Sequence, residues 1–154
     1  MSVQVQLSQD TDFMNRMVNH PSIYPFIRDD SINGFVDCAV LDDSNSRRLR
    51  LLVDGREAGF ALLMRRDDGY ELHSGMLPEF RGRTAIAAGR AVIDWVTKQN
   101  LCDRLTTWAW ANARHVLMVT RVLGFKEEAR DDWPNPVNGQ HVQRVLFSLS
   151  INHS

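Results

Sequence analysis

Residues 77–85 read Leu-Pro-Glu-Phe-Arg-Gly-Arg-Thr-Ala, and the fold of the surrounding chain can be worked out from this stretch. It follows an extended run at 70–76 and opens a helical pattern at 85–98. A loop between a strand and a helix directs free backbone N–H groups, and the positive end of the helix dipole, at one point. With Arg81 and Arg83 beside it, the stretch predicts an anion-binding site.

The runs before this loop predict an antiparallel meander of three strands. The predicted strands are 48–53, 57–65 and 70–76. They are separated by Asp54-Gly55 and Asp68-Gly69, and Asp-Gly between apolar runs favours the positive φ angles of a type I′ hairpin turn. Gly59, inside the middle run, indicates a bulge or a close backbone contact.

The remaining elements alternate between strand and helix. An alternating run at 3–7 predicts a strand, and capping residues at 8–12 open a short helix. A short strand at 35–41 is expected before the meander. After the loop, Thr84 is the expected N-cap of the next helix. The predicted order is β, α, an irregular segment, three β, α, β, α, β, β, which is a mixed α/β arrangement.

The second half of the chain carries two further signals. Asn112 is the expected N-cap of a helix that ends at Gly124, between strands at 104–109 and 125–129. The proline-rich segment 131–139 is expected to be a loop that could fold over a cleft, before a last strand at 142–151.

Composition narrows the class of protein. The chain has 154 residues, of which 44% are hydrophobic and 24% charged, so one domain spanning 1–154 is expected. Its net charge of −1 argues against a nucleic-acid or membrane-surface binder, because either requires a basic excess. No long apolar run is present, and a cytoplasmic protein is expected. Cys38 and Cys102 stand apart from any Cys/His cluster, so neither a metal site nor a disulfide framework is expected.

Three features together resemble the GCN5-related N-acetyltransferase (GNAT) superfamily. Met-Leu-Pro-Glu-Phe-Arg-Gly-Arg at 76–83 is similar to the family's V-x-P-e-y-R-G-k entry into a pyrophosphate loop. Asn112 followed by Leu123-Gly124-Phe125 is similar to its N…lGF segment, and the order of elements agrees. The resemblance implies an α/β GNAT fold: a mixed, mostly antiparallel sheet with splayed central strands and helices on both faces.

The resemblance also implies a cofactor, acetyl-CoA. Its pyrophosphate would meet the loop, and its pantetheine arm would lie between strands 70–76 and 104–110. The residues that the resemblance assigns to cofactor binding are Ser74, Gly75, Met76, Leu77, Arg81, Gly82, Arg83, Thr84, Ala85, Ile86 and Asn112. The N–H groups of 81–86 would contact the phosphates.

Three positions depart from the family pattern. Thr84 and Ile86 stand where the loop usually has small residues, which makes close approach of a phosphate less easy. Thr120 stands where many members have a tyrosine that acts as general acid, and an aliphatic hydroxyl is a far weaker acid than a phenol.

Amine acetylation needs a base, and strand 70–76 offers two candidates. Glu71 and His73 share one face by period-two alternation, and His73 has the better intrinsic pKa for work near neutrality. The alternative is that both are solvated or paired strand residues.

Candidate acceptor-binding residues are aromatic or charged. They are Phe26, Arg28, Trp110 and Trp133. Segment 22–30 could instead pack on the core as a loop. The acids Asp29, Asp30, Asp131 and Asp132 would favour a cationic acceptor, or else are solvated turn residues.

The expected function is an N-acetyltransferase in which an amine, on a small molecule or a protein, attacks the thioester directly. Details such as Leu72-His73 and Thr84-Ala85-Ile86 also resemble GNAT-like proteins of tailed bacteriophages. The alternative is therefore a phage assembly or host-binding protein with weak or no catalysis, and a third is a phage enzyme that acetylates a host protein. A homodimer is left open.

Overall fold

The computed structural model describes residues 1–28, 34–40, 44–134 and 140–152. The strands are β1 (Val3–Leu7), β2 (Ser46–Val53), β3 (Arg56–Arg66), β4 (Gly69–Met76), β5 (Arg104–Trp110), β6 (Lys126–Pro134) and β7 (His141–Ser150). The helices are α1 (Thr11–Val18), α2 (Tyr24–Ile27), α3 (Arg83–Lys98) and α4 (Arg114–Val122), with 3-10 turns at Cys38–Val40 and Pro78–Phe80. No helix in these ranges has both the length and the apolar character needed to cross a membrane.

The strands form one sheet in the order β1-β2-β3-β4-β5-β7-β6. The β4–β5 pair is parallel and the other pairs in this order are antiparallel. Helix α3 makes the crossover that a parallel pair requires. The predicted mixed, mostly antiparallel α/β sheet is confirmed.

Helices cover both faces of this sheet because successive side chains of a strand point to opposite sides. Phe60 and Leu62 of β3 pack with α1 and with Ile23, just before α2. Ala61 and Leu63, the alternate residues, pack with the buried faces of α3 and α4. The α1–α2 side and the α3–α4 side are therefore separate layers.

The two hairpin turns differ from each other. Asp54 (φ 50°) and Gly55 (φ 79°) form the predicted turn with two positive φ angles. In the second hairpin Arg66 pairs with Gly69, so the turn residues are Asp67 and Asp68, one position before the prediction. Gly69 has φ 147° and lies in β4, where a Cβ would come within 2.1 Å of the Arg104 carbonyl oxygen.

Gly59 has both properties expected of it. The register between β2 and β3 shifts between Leu51 and Leu52, which leaves Ala58 as an extra residue in a bulge. A Cβ on Gly59 would lie 2.2 Å from the carbonyl oxygen of Gly75 on β4. The bulge therefore brings the backbones of β3 and β4 into a contact that only glycine permits.

Besides the second turn, four local predictions were wrong, three about where an element begins or ends and one about the type of element. The N-cap of α3 is Gly82, not Thr84, which lies inside the first turn. The N-cap of α4 is Ala113, and Asn112 precedes it as an exposed turn residue. The described part of segment 35–41 has a 3-10 turn and no strand. Residues 131–134 continue β6 instead of forming a loop, and 135–139 lie outside the described residues.

We expect Gly59→Ala to destabilise the protein by about 2 kcal/mol or more, because the backbone oxygen of Gly75 cannot move aside. Urea unfolding measures this change. The control is Gly55→Asn, at a turn where a Cβ would meet nothing within 4 Å and where asparagine tolerates positive φ. Equal destabilisation by both variants would contradict the close contact.

Candidate active site

Strands β4 and β5 separate soon after they meet. Their pairing in the described chain is confined to Tyr70 with Leu105 and Glu71 with Thr106. Just beyond this pairing the Thr107 hydroxyl donates a hydrogen bond of 2.8 Å to the Leu72 carbonyl. Beyond it β4 follows β3 and β5 follows β7, so a gap opens and the predicted splay is confirmed.

A cavity of about 200 Å³ occupies this gap. The residues that β4 and β5 contribute are Leu72, His73, Ser74, Gly75, Met76, Thr107 and Trp108. Ile23, Phe26 and Ile27 reach it from the α1–α2 side, and α3 and α4 line it from the other side. The cavity therefore passes through the sheet.

One end of the cavity meets the beginning of α3. The N–H of Arg81 donates to the Pro78 carbonyl (3.3 Å) and that of Ile86 to the Gly82 carbonyl (3.2 Å). Residues 82–85 lie between, and the first N–H groups of a helix have no intrahelical acceptor. The N–H groups without an intrahelical acceptor are therefore those of residues 82–85, which is fewer than the predicted 81–86. Gly82 has φ 75°, and a Cβ there would meet nothing within 4 Å, so its backbone is open to a ligand.

The two arginines of the loop have different surroundings. Arg83 is exposed at the first position of α3. Arg81 lines the cavity, and its guanidinium donates a hydrogen bond to the Ser22 carbonyl and lies 5.7 Å from the centre of the Phe26 ring. Arg81 therefore ties the loop to the segment that contains α2.

Glu71 and His73 form a hydrogen-bonded pair on the α1–α2 side of β4. His73 Nε2 lies 2.6 Å from Glu71 Oε1, and Arg66 Nε lies 3.2 Å from the other carboxylate oxygen. The bond to His73, more than the charges of His73 and Arg66, lowers the pKa of Glu71 to about 2. Glu71 is consequently ionised near neutral pH and is too weak a base to take a proton from an ammonium group.

This pairing also selects the form of the histidine. An ionised carboxylate can only accept a hydrogen bond, so Nε2 carries the hydrogen. In neutral His73 the lone pair is then on Nδ1, which can accept a proton. The ring lines the cavity, with its centroid 6.5 Å from that of Trp108.

Two of the cavity-lining residues of α4, Thr120 and His115, carry polar side chains. The Thr120 hydroxyl donates to the Val116 carbonyl at 2.7 Å, so its proton is already engaged. His115 presents its ring edge to Phe26, with centroids 4.7 Å apart. Desolvation, followed by the charge of Arg81, lowers the pKa of His115.

The tryptophan that lines the cavity is not one of the two that the sequence predicted. Trp108 lines the cavity, whereas Trp110 is 2% exposed, outside the lining, and its indole Nε1 has no partner among the described residues. Trp133 lies on β6, where the Arg144 guanidinium stacks 4.2 Å from its ring centre. Arg144 is also bound through two nitrogens to Asp131, at 3.0 and 2.8 Å, so this acid is already paired.

The structure thus sorts the predicted site residues into two groups. Those that line the cavity are Phe26, His73, Ser74, Gly75, Met76, Arg81, Gly82 and Ala85. Those outside its lining are Arg28, Glu71, Leu77, Arg83, Thr84, Ile86, Trp110, Asn112 and Trp133. Arg28 stacks on Tyr24 instead, with 4.7 Å to the ring centre. Asp29 and Asp30 lie outside the described residues.

Sequence reasoning missed Thr107, Trp108 and His115 as lining residues. Alternation along β5 separates Thr107 from Trp108 by face, but the cavity touches both faces because it passes through the sheet. No signal in the sequence indicated that His115 would reach the gap.

No known family profile matches this sequence, and no curated protein matches it. Solved structures, in contrast, match this chain. Spermidine N-acetyltransferase from Vibrio cholerae, in complex with CoA and spermine, has a TM-score of 0.81 over 97% of this chain and 95% of that chain, at 14% identity. The fold of this chain is the GNAT fold. Ribosomal-protein-S18-alanine N-acetyltransferase from Escherichia coli has a TM-score of 0.73 over 99% and 96% of the two chains, at 16% identity. AAC(6')-Ib, in complex with paromomycin and acetyl-CoA, has a TM-score of 0.75 over 97% of this chain and 94% of that chain, at 13% identity. At such low identities, these similarities establish the fold of the chain and nothing about its substrate.

We expect Glu71→Gln to remove a pH-dependent part of the stability. Because the pKa of Glu71 is lowered from 4.5 to about 2 on folding, its ionised form stabilises the fold above pH 4.5, and this contribution is lost as the pH falls toward 2. Urea unfolding of both proteins at neutral pH and in acid measures the difference.

The difference in stability between wild type and Glu71→Gln should be largest at neutral pH and shrink in acid. In a His73→Gln background the same substitution should cost less, since the main partner is gone. A difference that does not change with pH would contradict the pairing.

Proposed function

We propose that this protein is an N-acetyltransferase that uses acetyl-CoA and transfers the acetyl group by direct attack of an amine. The observation that carries this proposal is the splayed gap, which joins the free N–H groups of α3 at one end to His73 at the other. An elongated ligand with an anionic end and a reactive end suits such a passage. The GNAT fold supports the same activity.

The anionic end of acetyl-CoA suits the beginning of α3. Backbone N–H groups of 82–85 and the helix dipole would hold the pyrophosphate. Arg83, exposed and next to them, adds a positive charge. The open backbone at Gly82 supports a close approach of the phosphates at that position.

The edge of β4 suits the pantetheine arm. The Leu72 carbonyl faces β5, and backbone groups on one edge of a strand recur at every second residue. Ser74 and Met76 therefore turn their N–H and C=O groups into the gap, beyond the last residue that β5 pairs. The amides of the arm can bond to these groups.

His73 is the proposed base. Its Nδ1 takes a proton from the acceptor ammonium, and the amine nitrogen then forms a bond to the acyl carbon as the carbon–sulfur bond breaks. Glu71 is a positioning residue, because it holds the tautomer of His73. The thiolate that leaves is a weak base, with a thiol pKa of about 8.5, and it takes up the second proton that the nitrogen releases, so Thr120 need not act as an acid.

The surroundings of the cysteines support direct attack over an acyl-enzyme. Cys38 lies in the α1-side core and Cys102 packs against the opposite core. Burial raises the pKa of both thiols, which makes them poor nucleophiles.

The acceptor is proposed to be an amine, on a small molecule or a protein. The similar structures name spermine, a ribosomal-protein alanine and paromomycin, but at these low identities they do not choose among them for this chain.

Calorimetry with acetyl-CoA tests the cofactor. We expect the wild type to bind and Arg83→Ala to weaken binding by about 3- to 10-fold, since one charge near a phosphate is removed. Arg81→Ala/Arg83→Ala should bind more weakly still. The matched control is Arg90→Ala, an exposed arginine farther along α3, which should change affinity by less than about twofold.

Absence of binding by the wild type at millimolar acetyl-CoA would overturn the enzyme proposal. That outcome would favour the alternative, a GNAT fold used in phage assembly or host binding without catalysis.

Thiol release in the presence of an amine tests the base. We expect His73→Ala to lower kcat by about 100-fold or more with acetyl-CoA affinity unchanged, because only proton transfer is affected. Glu71→Gln should lower kcat as well, through loss of the tautomer. Unchanged turnover of His73→Ala would remove His73 from the mechanism.

A further inference from the structure

The contact between Phe26 and His115 joins the two layers of the protein. Phe26 belongs to α2, on the α1–α2 side of the sheet, and His115 to α4, on the opposite side. Their rings meet edge to face, 4.7 Å apart and at 88°. Side chains from opposite faces of a sheet can touch only where the strands part, so this contact crosses the gap between β4 and β5.

Arg81 reinforces the same crossing. Its guanidinium lies over the Phe26 ring and donates a hydrogen bond to the Ser22 carbonyl, just before α2. Arg81, Phe26 and His115 all line the cavity. The passage through the sheet is therefore bridged by side chains from three separate elements.

The bridged passage is small for the proposed ligand. Its volume of about 200 Å³ is below the roughly 300–1,000 Å³ of small-molecule sites. A thioester arm that entered the gap would need more space than this, and the side chains that cross the gap are Phe26, His115 and Arg81.

Helix α2 is the part of the bridge that can yield. It has four residues, no fully buried side chain and no side-chain cap at its N-terminus. A single helical turn has little stability of its own. Ile23, immediately before it, is 2% exposed and anchored in the core against Phe60, so movement would begin after Ile23.

We propose that Phe26 and His115 form a clasp across the splayed strands, which parts when the thioester arm enters the gap. The proposal rests on the proposed function, since it supposes that the gap receives acetyl-CoA. Parting displaces α2, which lies on the same side of the sheet as His73. Occupancy of the cofactor site is thereby communicated to the side where the acceptor amine must approach.

The clasp is tested first in the unliganded protein, by a double-mutant cycle. Phe26→Ala, His115→Ala and the double variant are unfolded in urea. We expect a coupling equivalent to about 2- to 12-fold in the unfolding equilibrium constant, as for other edge-to-face ring pairs. Additive effects would show that the rings do not hold the gap closed, and would overturn the proposal.

The same variants are then titrated with acetyl-CoA by calorimetry. A contact that must break opposes binding, so each single variant should bind about 2- to 12-fold more tightly than the wild type. The gain in acetyl-CoA affinity of the double variant should be smaller than the product of the gains of the two single variants. Weaker binding by either single variant would mean that the side chain contacts the ligand in the bound state, and would overturn the clasp.

Met118→Ala is the matched control. Met118 lies on α4, lines the same cavity and is 45% exposed, but it has no ring partner across the gap. Equal tightening by Met118→Ala would show that added room alone improves binding, which overturns the clasp. Phe26→Leu keeps apolar bulk for the case in which Phe26→Ala does not fold, and it should tighten binding in the same direction.

The outcomes separate this inference from the proposed function. If the wild type binds and the clasp variants bind more weakly, only the clasp is overturned. If the wild type binds and the clasp variants bind more tightly while Met118→Ala does not, both proposals are supported. If none of these proteins binds at millimolar acetyl-CoA, both proposals are overturned.

Discussion

The parting of β4 from β5 is the constraint on which the rest of this structure depends. Each strand keeps a partner on its outer side, so the sheet survives the loss of pairing between them. The inner edges are left with backbone groups that a neighbouring strand would ordinarily bind. Ser74 on the edge of β4 is exposed. An interior edge of this kind leaves backbone donors and acceptors unpaired by a neighbouring strand.

Several features of the sequence allow β4 and β5 to separate. The bulge at Gly59 and the absence of a Cβ there let β3 follow β4 closely past the point where β5 leaves. Gly75 is equally restricted, because a Cβ would meet Ile23 at 2.4 Å. Helix α3 then begins after Gly82, which caps it with a positive φ and lines the cavity. The strand edge, the helix terminus and the cavity are consequences of one local geometry.

The acidic side chains near the site are kept ionised mainly by hydrogen-bonded partners and not by their degree of burial. Glu71 is ionised through its bond to His73 and leaves Nδ1 of that ring as the proton acceptor. Asp131, one of the acids that suggested a cationic acceptor, is paired with Arg144 through two hydrogen bonds. Arg81, a predicted phosphate ligand, also holds the α2 segment in place.

The sequence by itself determined the order of the elements, the meander, the loop that opens α3 and the shared face of Glu71 and His73. These follow from short-range rules, namely alternation, turn chemistry and the free N–H groups of a helix terminus. Only the tertiary structure decided that Trp108 and not Trp110 lines the cavity, that Gly82 is the N-cap, and that Phe26 meets His115. Such facts depend on where β5 leaves β4 and on contacts between residues far apart in the chain. Local propensity carries no information about either.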